Sequence, residues 1–301
     1  MAGRVLVTGS SSFTGPYITR ALTEQGYEVF GLGHGRGSDD DAVTECAGNL
    51  LDPDSLRKVV DKARPEYVIH LAAITFVPHG DIAAMYLTNV VGTRNLLQVL
   101  AEAPEQPRKV VIASSANVYG NSREGLFPEE TPFAPANDYA ASKVAMEYMA
   151  AIWSAKLPIA FTRPFNYTGV GQAEKFLIPK IVSHFQQKKT EIELGNIDVV
   201  RDFSDVRFVA SAYATLLERA EVGQVYNICS GIGYSLKALI SRMNELAGYE
   251  IDVRVNPDFV RANEVKRLVG DNSKLLALDS SLKPIDIGDT LSWMFSAPPG
   301  S

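Results

Sequence analysis

Tyr139 and Lys143 stand four residues apart in the run Asp138-Tyr139-Ala140-Ala141-Ser142-Lys143. On a helix that spacing puts a phenol and an ammonium on one face. Ala140, Ala141, Ala145 and Met146 favour a helix here, and Asp138 is placed to cap it. An ammonium beside a phenol favours the phenolate and lowers the phenol pKa from about 10. Such a pair can pass a proton near neutral pH. The spacing alone is weak, because tyrosine and lysine fall four apart by chance in many helices. Two further stretches strengthen it, Thr8 to Gly15 and Ser114 to Gly120.

The first of these opens on a strand. Arg4-Val5-Leu6-Val7-Thr8 is β-branched and apolar, and Phe13 to Gln25 reads as a helix ended near Gly26. Between them Gly9, Ser12 and Gly15 occupy a G-x-x-G-x-x-G pattern. Gly9 allows a tight turn, Gly15 lets helix and strand approach, and the helix N-terminus offers N–H groups to a pyrophosphate. Ser12 stands where the pattern has its middle glycine, so a left-handed backbone there would cost roughly 1 kcal/mol or more. The alternative is a plain strand–helix turn. The next strand ends in Gly33-His34-Gly35-Arg36 with no acid until Asp39. An acid there would take the ribose hydroxyls of NAD, whereas Arg36 suits a 2′-phosphate, unless it is only an exposed loop arginine. The expected cofactor is NADP(H) in preference to NAD(H).

The elements that must hold these residues alternate. Tyr27 to Leu32 is a strand, a third strand runs into Asn49, and a helix covers Pro53 to Ala63. Tyr67 to Leu71 and Lys109 to Ala113 are strands flanking a long helix over Ile82 to Ala101. Asp138 to Ala155 is a helix and Ile159 to Arg163 a strand. This rhythm predicts an α/β fold, a Rossmann-type doubly wound parallel sheet. After Pro164 glycines and prolines break the chain into shorter pieces. Helices are expected at Lys175–Gln187, Val206–Ala220 and Leu236–Ala247, with strands at Glu191–Leu194 and Asp252–Val255. The expected division is a dinucleotide-binding domain over 1–165, with crossing segments near 196–225, and a smaller α/β substrate lobe over 166–301.

Composition excludes several classes. The chain has 301 residues, is 46% hydrophobic and 21% charged, and is expected to bury a large core. Its net charge of −6 argues against a nucleic-acid binder. No apolar run reaches membrane-span length, and the chain enters a strand at once, so neither a membrane partner nor a signal peptide is expected. Cys46 and Cys229 lack metal-ligand spacing and the four histidines are scattered, so no metal is expected and a reducing, cytoplasmic setting is the simple reading.

Together the pieces resemble the extended short-chain dehydrogenase/reductase family. The matching stretches are Thr8 to Gly15, His70-Leu71-Ala72-Ala73, Asn89-Val90-Val91-Gly92-Thr93, Ser114-Ser115-Ala116-Asn117-Val118-Tyr119-Gly120, and Tyr139 to Lys143, in the family's order. The resemblance implies a role for each. Ser115 hydrogen-bonds the reacting oxygen, Tyr139 is the general acid/base, and Lys143 holds a ribose and tunes the tyrosine. Gly9, Ser12, Phe13, Thr14 and Gly15 hold the cofactor with Arg36, Asn49, Leu50, Leu71, Ala72, Ala73 and Phe165. Asn49 replaces an aspartate that often reaches the adenine in the family, which leaves that contact open.

The C-terminal half is similar to enzymes of GDP-mannose-derived sugars, and most of all to reductases of GDP-4-dehydro-6-deoxy-D-mannose. That similarity rests on Arg163-Pro164-Phe165-Asn166, Arg201 to Val206, Arg261 to Val265 and Leu268 to Asp271. It implies that Asn166, Arg201, Arg261 and Glu264, with Lys180, surround the nucleotide diphosphate and its ribose; singly, each could equally be a surface ion-pair residue. Ala116 and Asn117 stand where related dehydratases carry an acidic pair. No cysteine lies between Cys46 and Cys229, where the related fucose synthase uses one for epimerisation. Simple reduction of a GDP-4-keto-6-deoxyhexose remains. The alternatives are a UDP- or dTDP-sugar 4-epimerase that keeps NAD through turnover, and a dinucleotide-sensing protein without chemistry. The resemblance also implies a homodimer pairing the helices over Asn89–Leu100 and Tyr139–Ala155. Leu96, Leu97, Leu100, Met146, Met149 and Ile152 suit that pairing, and they suit packing on the sheet equally well.

Overall fold

The computed structural model describes residues 2–33, 42–75, 81–120, 125–259 and 266–298. Arg4–Thr8 (β1) has four buried residues in succession, because it is covered on both faces. Glu28–Gly33 (β2), Val43–Ala47 (β3), Tyr67–His70 (β4), Lys109–Ala113 (β5), Ile159–Pro164 (β7) and Val225–Ile228 (β11) join it in one seven-stranded sheet. All its pairings are parallel, in the order β11-β7-β5-β4-β1-β2-β3. Side chains of β1 alternate between two cores. Val5 and Val7 pack with Gly15–Glu24 (α1) and Val206–Arg219 (α7), through Ile18, Leu22, Val209 and Leu216. Leu6 packs on the other face with Pro53–Ala63 (α2), Thr93–Glu102 (α4) and Asp138–Trp153 (α5), through Leu56, Leu96 and Met146. Fully burying each such leucine is worth about 1.5–3 kcal/mol. The strand order reverses between β1 and β4, the place where an open parallel sheet leaves a crevice at its carboxyl ends.

The expected long helix over Ile82–Ala101 is three pieces: Ile82–Tyr86 (α3), a π-helical turn at Leu87–Gly92, and α4. The π turn is a tertiary feature. It carries Asn89, which is 1% exposed and bonded to two other segments. Asn137, not Asp138, caps α5, accepting from Ala140 N; Asp138 lies in the first turn.

The second sheet is built on Val200–Asp205 (β10). It pairs with Asn166–Thr168 (β8), Gly233–Ser235 (β12) and Arg267–Gly270 (β14), and Leu126–Phe127 (β6) continues from β14. Glu191–Leu194 (β9) and Asp252–Val255 (β13) form a separate pair. Leu177–Gln186 (α6), Leu236–Ala247 (α8) and Ile287–Ser296 (α10) bury Ile178, Phe185, Met243 and Leu291 against them. A short helix, Ser273–Leu276 (α9), packs by β11. No helix among the described residues is long and apolar enough to cross a membrane.

Candidate active site

The glycine turn sits at the carboxyl end of β1. Gly9 has φ +76°, a left-handed value, and a side chain on it would press the backbone of Ala72. A side chain on Gly15 would run into the Ser10 carbonyl. Ser12 needs no left-handed backbone, so the strain expected at that position does not arise. Thr14 is the N-cap of α1 but makes no side-chain bond to its helix, and the first turn holds no acid. A turn closed by two glycines at an uncapped helix N-terminus fits a dinucleotide pyrophosphate. Leu71, Ala72 and Ala73 follow β4 directly over the turn, with Leu71 N donating to Thr8 O at 3.1 Å.

A side chain on Gly33, at the end of β2, would meet Ser11 Oγ at 2.6 Å. The place where an NAD-binding acid would branch is therefore crowded by Ser11, whose hydroxyl would have to turn away. Asn49 spends its side-chain oxygen on Leu51 N at 2.9 Å, and Leu50 is buried with its carbonyl accepting from Asn95 Nδ2. Arg36 lies outside the described residues.

A buried polar chain joins this turn to α5. Thr93 Oγ1 gives its one proton to Asn89 O, so His70 Nε2 donates to Thr93 and Nδ1 accepts from Thr8 Oγ1, at 2.8 and 2.6 Å. Thr8 in turn accepts from Ala72 N. Burial, then the Lys143 charge, drive the His70 pKa down to about 3, so the ring is neutral. Asn89 clamps Ile74 through both N and O and donates to Ser142 Oγ, which donates to Tyr139 O.

Ser115, Tyr139 and Lys143 meet at the carboxyl end of β5. Ser115 caps a short 3₁₀ turn, Ala116–Tyr119, and its hydroxyl interacts with the Tyr139 phenol. Lys143 is 4% exposed, donates to Ala113 O at 2.8 Å, and lies 6.0 Å from the Tyr139 ring centre. The expected depression of the phenol by Lys143 is not what governs Tyr139. Burial, with the nearby Tyr167 phenol, pushes its pKa above the ordinary value, and Ser115 offsets only part of that. Burial also pulls Lys143 down from 10.5 to about 8, against the attraction of Glu147. The phenol is therefore protonated at neutral pH.

The remaining expected residues are dispersed. Asn166 is on β8, its Nδ2 donating to Asp202 O at 3.2 Å. Arg201, on the adjoining β10, donates to Val200 O and Lys266 O. Lys180 donates to Glu193 O at 2.7 Å and lies over the Phe259 ring, away from the catalytic cluster in its bonding. Phe165 is buried against Tyr119 and Leu268. Arg261 and Glu264 lie outside the described residues. Sequence reasoning missed Tyr167, which touches Thr14 and acts on Tyr139; its only signal was its place directly after Asn166. It also missed the function of Arg163, whose guanidinium grips Glu147 of α5 at 3.0 and 2.7 Å.

A parallel sheet with a glycine turn at its switch point and a Ser–Tyr–Lys cluster formed by α5 and the end of β5 defines a dinucleotide-dependent oxidoreductase. The NAD dependent epimerase/dehydratase family model matches residues 5–229, and the chain belongs to that family, the extended short-chain dehydrogenase/reductases. It is 36% identical to a GDP-6-deoxy-D-talose 4-dehydrogenase from Aggregatibacter actinomycetemcomitans, over 91% of this chain and 90% of that one. It is 34% identical to a GDP-6-deoxy-D-mannose reductase from Pseudomonas aeruginosa, again over 91% and 90%. The solved structure of RMD from Pseudomonas aeruginosa complexed with NADPH superposes with a TM-score of 0.83, at 32% identity and 98% coverage of both chains.

Proposed function

We propose that the protein reduces the C4 ketone of GDP-4-dehydro-6-deoxy-D-mannose, giving GDP-D-rhamnose or its C4 epimer GDP-6-deoxy-D-talose. The observation that carries this is the geometry of the catalytic cluster: the Tyr139 phenol beside Ser115 with Lys143 packed near its ring, and Ala116 and Asn117 where an eliminating enzyme would need acids. The named activities of the two relatives support a GDP-6-deoxyhexose as substrate. A nicotinamide dinucleotide held at the glycine turn would supply the hydride. Tyr139 passes its proton to the developing alkoxide, Ser115 steadies that oxygen, and Lys143 keeps a positive charge beneath the pair. Asn166 and Arg201, on adjoining strands, are the described residues we assign to the nucleotide diphosphate and ribose. The test is oxidation of NADPH on addition of GDP-4-keto-6-deoxymannose, with NMR of the product; no turnover while GDP still binds would sink the substrate assignment.

NADP(H) is the cofactor we assign, supported by the absence of an acid at the end of β2, where Gly33 lies against Ser11. Binding of 2′,5′-ADP is expected to exceed that of 5′-AMP by at least about ten-fold, a charge-assisted contact's worth. Gly33→Asp alone is expected to weaken both, by collision with Ser11, and Gly33→Asp with Ser11→Gly to favour NADH. Equal affinity of the wild type for the two probes would remove the preference.

Homodimerisation is proposed through α5. Leu96, Leu97, Leu100 and Met146, which sequence offered to the pairing, are turned into the sheet core. Ile152 remains outward at 76% exposure, with Tyr148 at 64% one turn earlier. Sedimentation of the wild type as a dimer and of Tyr148→Glu/Ile152→Glu as a monomer is expected. A wild-type monomer at micromolar concentration would rule this out.

A further inference from the structure

Tyr167 reaches from β8 across to the glycine turn. Its hydroxyl lies 2.8 Å from Thr14 Oγ1, and its ring stacks on Phe13 with 6.1 Å between centres and 12° between planes. A second strut runs beside it: Tyr17 Oη donates to Val170 O at 2.7 Å, and the Tyr17 ring meets Phe13 edge-on. The start of α1 is thus tied at two points to the 167–170 segment. That segment is itself in register with β10, Ser204 opposite Tyr167.

Thr14 is the unusual partner. It is the N-cap residue of a ten-residue helix and of a type that ordinarily turns its oxygen back to the N–H of the second or third residue. Here its backbone is helical, φ −83° and ψ −27°, and its side chain makes no capping bond. That backbone carries the hydroxyl away from the capping position and leaves the first N–H groups of α1 to an anion. The hydroxyl is used instead to bond Tyr167.

We propose that Tyr167 is a positioning residue: through Thr14 and Phe13 it fixes the start of α1 against β8, and so sets where the dinucleotide pyrophosphate sits relative to the residues that follow β7. Tyr167 also makes the cradle part of the substrate lobe, because β8 carries Asn166 one residue earlier. This rests on the dinucleotide reading of the turn, and the test separates the two.

Tyr167→Phe removes one oxygen and keeps the stack on Phe13. NADPH affinity, followed by calorimetry on the whole chain, is expected to fall about 3–10-fold, the worth of one hydrogen bond. The melting temperature is expected to fall by no more than a few degrees. Thr14→Val removes the other end of the same bond, so in that background Tyr167→Phe is expected to cost no further affinity. A loss of affinity that is the same in both backgrounds would not come from this bond, and that result overturns the inference. So does a Tyr167→Phe variant that binds NADPH like the wild type. A wild type that binds no dinucleotide overturns the cofactor reading and this inference with it.

Discussion

A Tyr139→Phe variant is expected to lose about 10²–10⁴-fold in turnover, the range for removing a positioned general acid. The loss falls on kcat, because the ring and the packing of α5 are kept while the one group able to protonate the alkoxide goes. Ser115 cannot replace it, since its oxygen also accepts from Asn117 N at 3.2 Å and its hydroxyl has no pKa near the working range. A phenylalanine variant with wild-type kcat in NADPH oxidation would remove Tyr139 from the mechanism. The pH profile adds a second readout. Burial keeps the phenol protonated well beyond neutrality, so the reduction is not limited by Tyr139 between pH 6 and 8. Lys143 is held at about 8, and its charge is lost as pH rises through that value. Reduction is therefore expected to decline above pH 8 in the wild type and to show no such limb in Lys143→Met. The linked stability runs the other way. Between about pH 8 and 10.5 the unfolded chain keeps the lysine proton that the native chain has released, so stability rises with pH across that window.

Arg163→Met is expected to destabilise the fold by about 3–5 kcal/mol, the cost of leaving one member of a buried ion pair alone. The side chains of Arg163 and Glu147 are 5% and 7% exposed. The guanidinium also donates to Tyr119 Oη at 3.1 Å and to Glu129 O at 2.8 Å, and lies over the Tyr119 and Phe133 rings. Tyr119 passes the connection on to Asn227 Oδ1, on the edge strand β11. One arginine thus ties α5, the 3₁₀ turn after Ser115, and two strands. A lower urea midpoint with an unchanged slope is the expected result, and Arg163→Met/Glu147→Leu should recover much of the loss because no charge is left buried. The pair also reaches the site. Glu147 is one turn beyond Lys143 on α5, and its attraction already raises Lys143. Freed from Arg163, it should pull Lys143 higher and move the pH 8 limb upward. An Arg163→Met variant with wild-type stability would show the pair to be dispensable.

Much of this molecule is local and could be read without coordinates. Apolar β-branched runs separated by glycine turns mark strands wherever both faces are covered, so β1, β2, β4, β5 and β7 lie within a residue or two of their expected positions. The Tyr139–Lys143 spacing, the Gly9–Gly15 turn and Ser115 depend on helix period and turn geometry, which neighbouring residues set. The second lobe was legible in part. α6, α8, β9 and β13 were visible through their periodicity, whereas β8, β10, β12 and β14 are three to six residues long and form only by pairing with one another.

What residue types and spacing determined by themselves was the class of enzyme, because the glycine turn and the Tyr139–Lys143 pair are each written within eight residues. Only the tertiary structure decided the state of that chemistry. Burial, not the neighbouring ammonium, governs the Tyr139 phenol, since desolvation depends on everything packed around it. The same holds for the π turn at Asn89, the Arg163–Glu147 pair and the grip of Tyr167 on Thr14. Asp202 is one more case, its carboxylate accepting from Ser230 and Gly231 and pushed up to about 6 by burial. In each the partners are distant in sequence, from 15 residues for Asn89 and Ile74 to 153 for Tyr167 and Thr14. No local pattern encodes contacts of that range; they exist because the order of strands and helices brings distant stretches of chain together.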